Sequence, residues 1–263
     1  MILVLLIRTF AFSSSHVNAT LEITEGLNVS KPDIILYTAN TMNGWKPLIF
    51  LHEGEIDYEL VPISFSRKEQ KAPDYMKLNP NGRIPTIVDR GNKDFAVFES
   101  GAILWYLAEK YDKFLSHDPR ERSETLQWLM FQMGGIGPMM GQAMFFQRIA
   151  KPNGDEVPYA IKRYVDESRR LLEVLDKRLE GREWLVGDDM SIADMATYPW
   201  ARSYFWATVS VDGLDNLNAW FERIDARPKT QAALQLPEPR PSAFGKGDVE
   251  AAAAANAARF KEN

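Results

Sequence analysis

The sequence predicts a small α/β domain followed by an all-helical domain, and three features point that way. From about residue 32 to residue 113, short apolar runs rich in β-branched residues alternate with helix-like ones, in the order β-α-β and then β-β-α. After residue 118, apolar side chains recur at helical spacing. Within the first pattern, Pro85 separates Ile84 from the strand-like Thr86-Ile87-Val88-Asp89, where a ladder hydrogen bond must be lost.

Taken in order, "DIILYT" (33–38) has the character of a short buried strand, and "TMNGWK" breaks it before an apolar helix-like run from Pro47 to Glu53. "YELVPISF" reads as a second strand. "TIVD" and "AVFE" flank "RGNK", a hairpin signal. "ESGAILWYLAEKYD" follows as a helix with Ser100 as its N-cap and Ile103, Leu104 and Leu107 on one face. Asp118-Pro119-Arg120-Glu121 supplies a cap, a proline at the first helical position and an acid at the third, so a helix starts there. Ile161, Tyr164, Val165, Leu172, Leu175 and Leu179 stripe a long helix, Ser191 and Asp194 form a capping box, and Leu214 to Ile224 stripe a further helix that Pro228 stops. The expected domains are 33–113 and 118–236. Residues 1–32 are expected to be a disordered extension, and 237–263 a Pro/Gly- and Ala-rich tail.

Composition excludes several functions. The chain has 31 basic against 36 acidic residues, so no electrostatic footprint for nucleic acid or an anionic membrane is present. No apolar run approaches transmembrane length. The opening run "MILVLLIRTFAFSSSHVNA" lacks a basic lead-in and is interrupted by Arg8, which favours a cytoplasmic protein over a secreted one. There is no cysteine, so any sulfur chemistry must borrow its thiol. His16, His52 and His117 stand at no metal-ligand spacing and are read as surface or packing residues, so no metal is expected.

Local motifs narrow the class. "LYTANTMNGWK", "KEQKAP", "NPNGRIPTIVD", "FESGAILWYLAEKYD", "TLQWLMFQMGGIGPMMGQ", "PYAIKRY" and "SIADMATYPW" occur in an order, across residues 33–235, that resembles the cytosolic glutathione transferase family, notably its bacterial Nu-class and fungal nitrogen-regulator-type members. The resemblance implies a thioredoxin-like first domain with a cis Ile84–Pro85 bond, a carboxy-terminal helical bundle, a homodimer, and glutathione, reduced or oxidised, as cosubstrate. The backbone of Ile84, freed from the ladder, would pair with the cysteinyl part of the tripeptide as in strand addition. Glu99 and Ser100, at a predicted helix start, would clamp the γ-glutamyl end, the acid facing the ammonium and the helix N-terminus the carboxylate. Gln70 and Arg83 would bind the glycine end, and Arg163 would reach the ligand from the helical domain.

In this loop many relatives carry a tyrosine, serine or cysteine. Here Thr41-Met42-Asn43-Gly44 stands instead, with Met42 in place of the usual proline, and the resemblance points to Thr41 and Asn43 beside the sulfur. Tyr37, inside the predicted strand, is read as structural. A free thiol titrates near about 8.5, and lowering it by roughly two units requires about 2.7 kcal/mol. A hydrogen bond to a charged group contributes about 1.5–3 kcal/mol, so one or two donors suffice without a general base. The implied activity is glutathione-dependent reduction of a small disulfide or peroxide. The alternatives are a detoxifying transferase that conjugates glutathione to an electrophile, and a non-catalytic regulatory binding protein of the same fold. The Met/Phe-rich "MFQMGGIGPMMGQAMFFQ" is expected to be mainly helical core.

Overall fold

The structure, a computed structural model, describes residues 31–239. The expected extension through residue 30 and the tail from residue 240 lie outside the described residues. The described residues from 32 to 239 belong to one compact unit.

Strands β1 (Ile34–Thr38), β2 (Tyr58–Pro62), β3 (Thr86–Asp89) and β4 (Phe95–Phe98) form a mixed sheet in the order β2-β1-β3-β4. Helix α1 (Met42–Glu53) returns the chain so that β2 runs parallel to β1, while β3 pairs antiparallel with both β1 and β4. Alternation decides the faces of β1: Ile34, Leu36 and Thr38 are buried, and Ile35 and Tyr37 are half-buried. Tyr37 meets Tyr75 edge-on, a packing role. The register opposes Tyr37 to Thr86 and Thr86 to Phe98. The end of β1, the start of β3 and the end of β4 therefore share one end of the sheet.

Two helix starts differ from the sequence expectation. Helix α1 begins at Met42 rather than Pro47, because Thr41, extended at φ −144° and ψ 160°, caps it by accepting from the Gly44 N–H at 3.0 Å. Pro47 then lies inside the helix, and Gly44 is obligatory: a Cβ there would stand 2.1 Å from the Ala39 carbonyl oxygen. The N-cap position of helix α3 (Ser100–Tyr111) is Glu99, not Ser100; its side chain makes no capping bond, and it carries a strained φ of 68°. Helix α2 (Pro73–Leu78) was not anticipated.

The carboxy-terminal half holds α4 (Pro119–Phe131), α5 (Gly137–Phe145), α6 (Pro158–Arg178), α7 (Ile192–Ala201), α8 (Asp215–Asp225) and α9 (Pro228–Leu234). Pro228 starts α9 at its first turn rather than merely ending α8. The Met/Phe-rich run is helical with π-helical turns at Gln132–Ile136 and Phe146–Ala150; Ile136 and Met140 join the core while Phe145 stays exposed. Helix α1 packs against α3, α7 and α9, and one apolar cluster runs from Ile34 and Leu36 through Leu48, Ile103 and Met140 to Trp220 and Leu234. Glu53, at the end of α1, is fastened to α9 and its approach by Arg227 and Thr230.

Asp194 organises the helical half from a fully buried position. It accepts from the Leu185 and Ser191 backbone N–H groups, the Ser191 hydroxyl and the Trp220 indole, all within 3.0 Å. The anticipated capping box with Ser191 is formed. Truncation strands several donors in the core at once. Asp194→Ala is expected to lose about 3 kcal/mol or more of unfolding free energy, measured by urea denaturation.

Candidate functional site

Three chain segments meet at the common end of the sheet. The first is the amino terminus of α1. The Thr41 hydroxyl accepts the Gly44 N–H, which leaves its own hydrogen available to donate. Asn43 Oδ1 accepts from the Trp200 indole N–H of α7 at 2.8 Å. An indole nitrogen only donates, so this contact fixes the amide's orientation and leaves both Asn43 Nδ2 hydrogens to the other side. Hydroxyl, amide and the unpaired first N–H groups of α1 together make a place for an anion.

The second segment precedes β3. The Ile84–Pro85 bond is cis, and neither the N–H nor the C=O of Ile84 is paired with another described residue. The loop is held from behind: the Arg83 carbonyl accepts from Tyr75 Oη at 2.6 Å and Asn79 Nδ2 at 2.7 Å. The Arg83 side chain is exposed. Gly82, at φ +60°, lets the Gln70–Lys71 turn approach so closely that a Cβ would stand 3.0 Å from the Gln70 carbonyl oxygen. The half-buried Gln70 keeps its Oε1 buried with no partner among the described residues, an acceptor that a ligand N–H would satisfy.

The third segment follows β4. Exposed Glu99 and buried Ser100 stand at the amino terminus of α3, as the register of β3 and β4 requires. Thr41, Asn43, Gln70, Arg83, Ile84, Pro85, Glu99 and Ser100 thus share one neighbourhood. Arg163 does not join them by any direct contact. It lines a cavity with Met139, Tyr159, Tyr164, Glu167 and Arg170, all in the helical half.

Two polar residues at the site went unnoticed in the sequence. Trp200 is one, since nothing local marks an indole as the partner of residue 43. Lys46 is the other, and its signal was a lone cation inside an apolar run. It is wholly buried, and its Nζ donates to Ser100 Oγ at 3.1 Å and Gln132 Oε1 at 2.5 Å, with Met133 Sδ at 3.3 Å. Burial pulls its ammonium from the ordinary 10.5 down to about 7, opposed by the negative charge of Glu99.

The neighbourhood offers a free main-chain donor and acceptor, a buried amide acceptor, a carboxylate beside a helix N-terminus, an exposed guanidinium, and two side-chain donors, Thr41 and Asn43, at the start of α1. Those groups fit a short extended peptide bearing carboxylates, an ammonium and a thiol. A thioredoxin-like half with such an edge, followed by a helical half, defines the glutathione transferase class.

Residues 32–109 match the family model of the glutathione S-transferase N-terminal domain, and residues 138–228 match that of its C-terminal domain. The disulfide-bond oxidoreductase YfcG of Escherichia coli is 45% identical over 205 residues, covering 76% of this chain and 94% of YfcG. A glutathione transferase from Pseudomonas putida, solved with one glutathione disulfide bound per subunit, is 40% identical at a TM-score of 0.74, over 81% of this chain and 94% of that one. Ure2p in complex with glutathione is 31% identical at a TM-score of 0.73, over 78% of this chain and 99% of that one; Ure2p is a yeast prion protein. The chain belongs to the cytosolic glutathione S-transferase family and resembles its Nu-class and Ure2p-type members.

Lys46 makes a stability prediction with a definite sign. Between about 7 and 10.5 the unfolded chain keeps a proton at this side chain that the folded chain has released, so stability rises with pH across that window. Below about 7 both states are protonated and the cost of burying the charge is carried in full. Parallel urea denaturation of the wild type and Lys46→Met is expected to show the wild type gaining on the variant from about pH 7 to about pH 9. A constant difference would mean that Lys46 titrates as an ordinary lysine.

Proposed function

We propose that this protein is a glutathione-dependent reductase of small disulfides. The observation that carries the reading is the pair of uncommitted donors, the Thr41 hydroxyl and the Asn43 amide, at the positive end of α1. It is supported by the oxidoreductase name of the YfcG relative and by the glutathione disulfide in the Pseudomonas putida neighbour.

Each residue has a physical task. Ile84 pairs by its backbone with the cysteinyl unit, Glu99 and Ser100 take the γ-glutamyl end, and Gln70 and Arg83 take the glycyl end. Thr41 and Asn43 donate hydrogen bonds to the sulfur and favour its anion. They abstract no proton; the thiol proton leaves to solvent. Trp200 holds the Asn43 amide with its nitrogen toward the sulfur.

The chemistry is thiol–disulfide exchange. The thiolate attacks one sulfur of the substrate disulfide, a new sulfur–sulfur bond forms, and the other sulfur departs as a thiolate that takes up a proton. A second glutathione thiolate attacks the mixed disulfide, giving glutathione disulfide and the second substrate thiol. Two glutathiones supply the two electrons, and the cysteine-free chain supplies none. A peroxide in place of the disulfide would use the same thiolate. The expected assembly is a homodimer in the cytoplasm, and exposed Leu126 and Met130 on α4 are apolar groups a second copy would cover.

With a small mixed disulfide as substrate, Asn43→Ala is expected to lower kcat/KM about tenfold, and Thr41→Ala with Asn43→Ala about a hundredfold. The thiolate absorbance of bound glutathione should shift its titration up by roughly two units in the double variant. A rate indifferent to both substitutions, or a chloronitrobenzene conjugation rate far above disulfide reduction, would reject the reductase reading.

A further inference from the structure

Lys46 has no solvent-exposed surface, and its three N–H hydrogens have three neighbours within 3.3 Å: Ser100 Oγ, Gln132 Oε1 and Met133 Sδ. It therefore touches no ligand and acts through Ser100. While Lys46 is an ammonium it only donates, so Ser100 Oγ must accept from it and turn its own hydrogen elsewhere. Met133 Sδ, at 3.7 Å, is a weak acceptor for that hydrogen. A carboxylate at the start of α3 is a far better one. A neutral amine reverses the arrangement, because its lone pair accepts the Ser100 hydrogen and removes it from the ligand.

We propose that Lys46 is a positioning residue for the γ-glutamyl carboxylate of glutathione: protonated, it holds Ser100 as a donor toward that carboxylate, and ligand binding draws a proton onto it. This rests on the assignment of Glu99 and Ser100 to glutathione made above. The buried cation adds its charge to the N-terminal end of α3, in a setting where little water screens it. Among the described residues, Glu99 is the charged group that bears on Lys46; Ser100 on α3 and Gln132 and Met133 in the π-helical turn are uncharged. Burial sets its titration at about 7, so the side chain is poised between its two forms near neutrality.

The test uses S-methylglutathione, which binds the same groups but has no thiol to ionise. Titration calorimetry of the full chain at about pH 7.5, in two buffers of different ionisation enthalpy, reads the protons taken up on binding. The wild type is expected to take up about half a proton more than Lys46→Met or Ser100→Ala. Its affinity is expected to fall about tenfold relative to Lys46→Met between about pH 6 and about pH 8.5, as the ammonium is lost. The ligand's own amino group titrates alike in all three proteins and cancels. Should Lys46→Met not fold, the wild type against Ser100→Ala decides the matter. Binding with equal proton uptake in wild type and variants overturns the role of Lys46 while leaving the glutathione site standing. Absence of binding to the wild type overturns both.

Discussion

Helix α1 has no solvent face along its middle: every residue from Gly44 to Leu51 is buried, and that constraint shapes the rest of the molecule. A helix buried all round needs neighbours on every side. The sheet and α3 cover one side, and α7 and α9 cover the others, so the two halves of the chain share a single apolar core. The ends of α1 are fastened to the helical half by polar contacts, Asn43 to Trp200 at one end and Glu53 to Arg227 and Thr230 at the other. A helix so confined cannot shift without breaking these bonds, which gives the groups at its amino terminus fixed positions.

That fixity matters because the site is built from groups left unpaired. Ordinary folding satisfies nearly every buried polar group. Here, among the described residues, Ile84 keeps a free N–H and C=O beside the sheet, Gln70 keeps a buried oxygen without a donor, and the Asn43 amide spends its oxygen on Trp200 and keeps its nitrogen. Asn43 and the Ile84 loop are held by bonds on their far side, Asn43 by the Trp200 indole. Tyr75 and Asn79 grip the Arg83 carbonyl one residue before Ile84, and Thr41 is pinned by the Gly44 N–H. The strained φ of Glu99 belongs with this pattern, since a residue in that region persists only where its surroundings over-determine it.

Much of this was legible in the sequence, and the failures have physical causes. Strands β1, β3 and β4, the Asp118 cap and the Ser191–Asp194 box follow from periodicity and capping chemistry, which are local. The start of α1 was misplaced because Asn43-Gly44 also suits a turn and Pro47 suits a first turn. What selects the helix is the Thr41 cap together with the glycine's approach to Ala39, and only the second of these needs three dimensions. Helices α2 and α9 are too short for a periodic signal. Trp200 and Lys46 escaped because their partners lie 157 and 86 residues away, for Asn43 and Gln132 respectively. Nothing in a window of ten residues reveals such a pairing.

Lys46 also sets stability against chemistry. Holding an ammonium where its titration falls from 10.5 to about 7 costs on the order of a few kcal/mol when it is charged. A methionine of similar length would fill the space without that cost, among the leucines, isoleucine and phenylalanine that follow on α1. What a methionine lacks is the ability to turn the Ser100 hydroxyl outward. The same low-dielectric surroundings that make the cation costly also strengthen its field at the start of α3. Cost and effect therefore have one origin, and a substitution that relieves the first must give up the second.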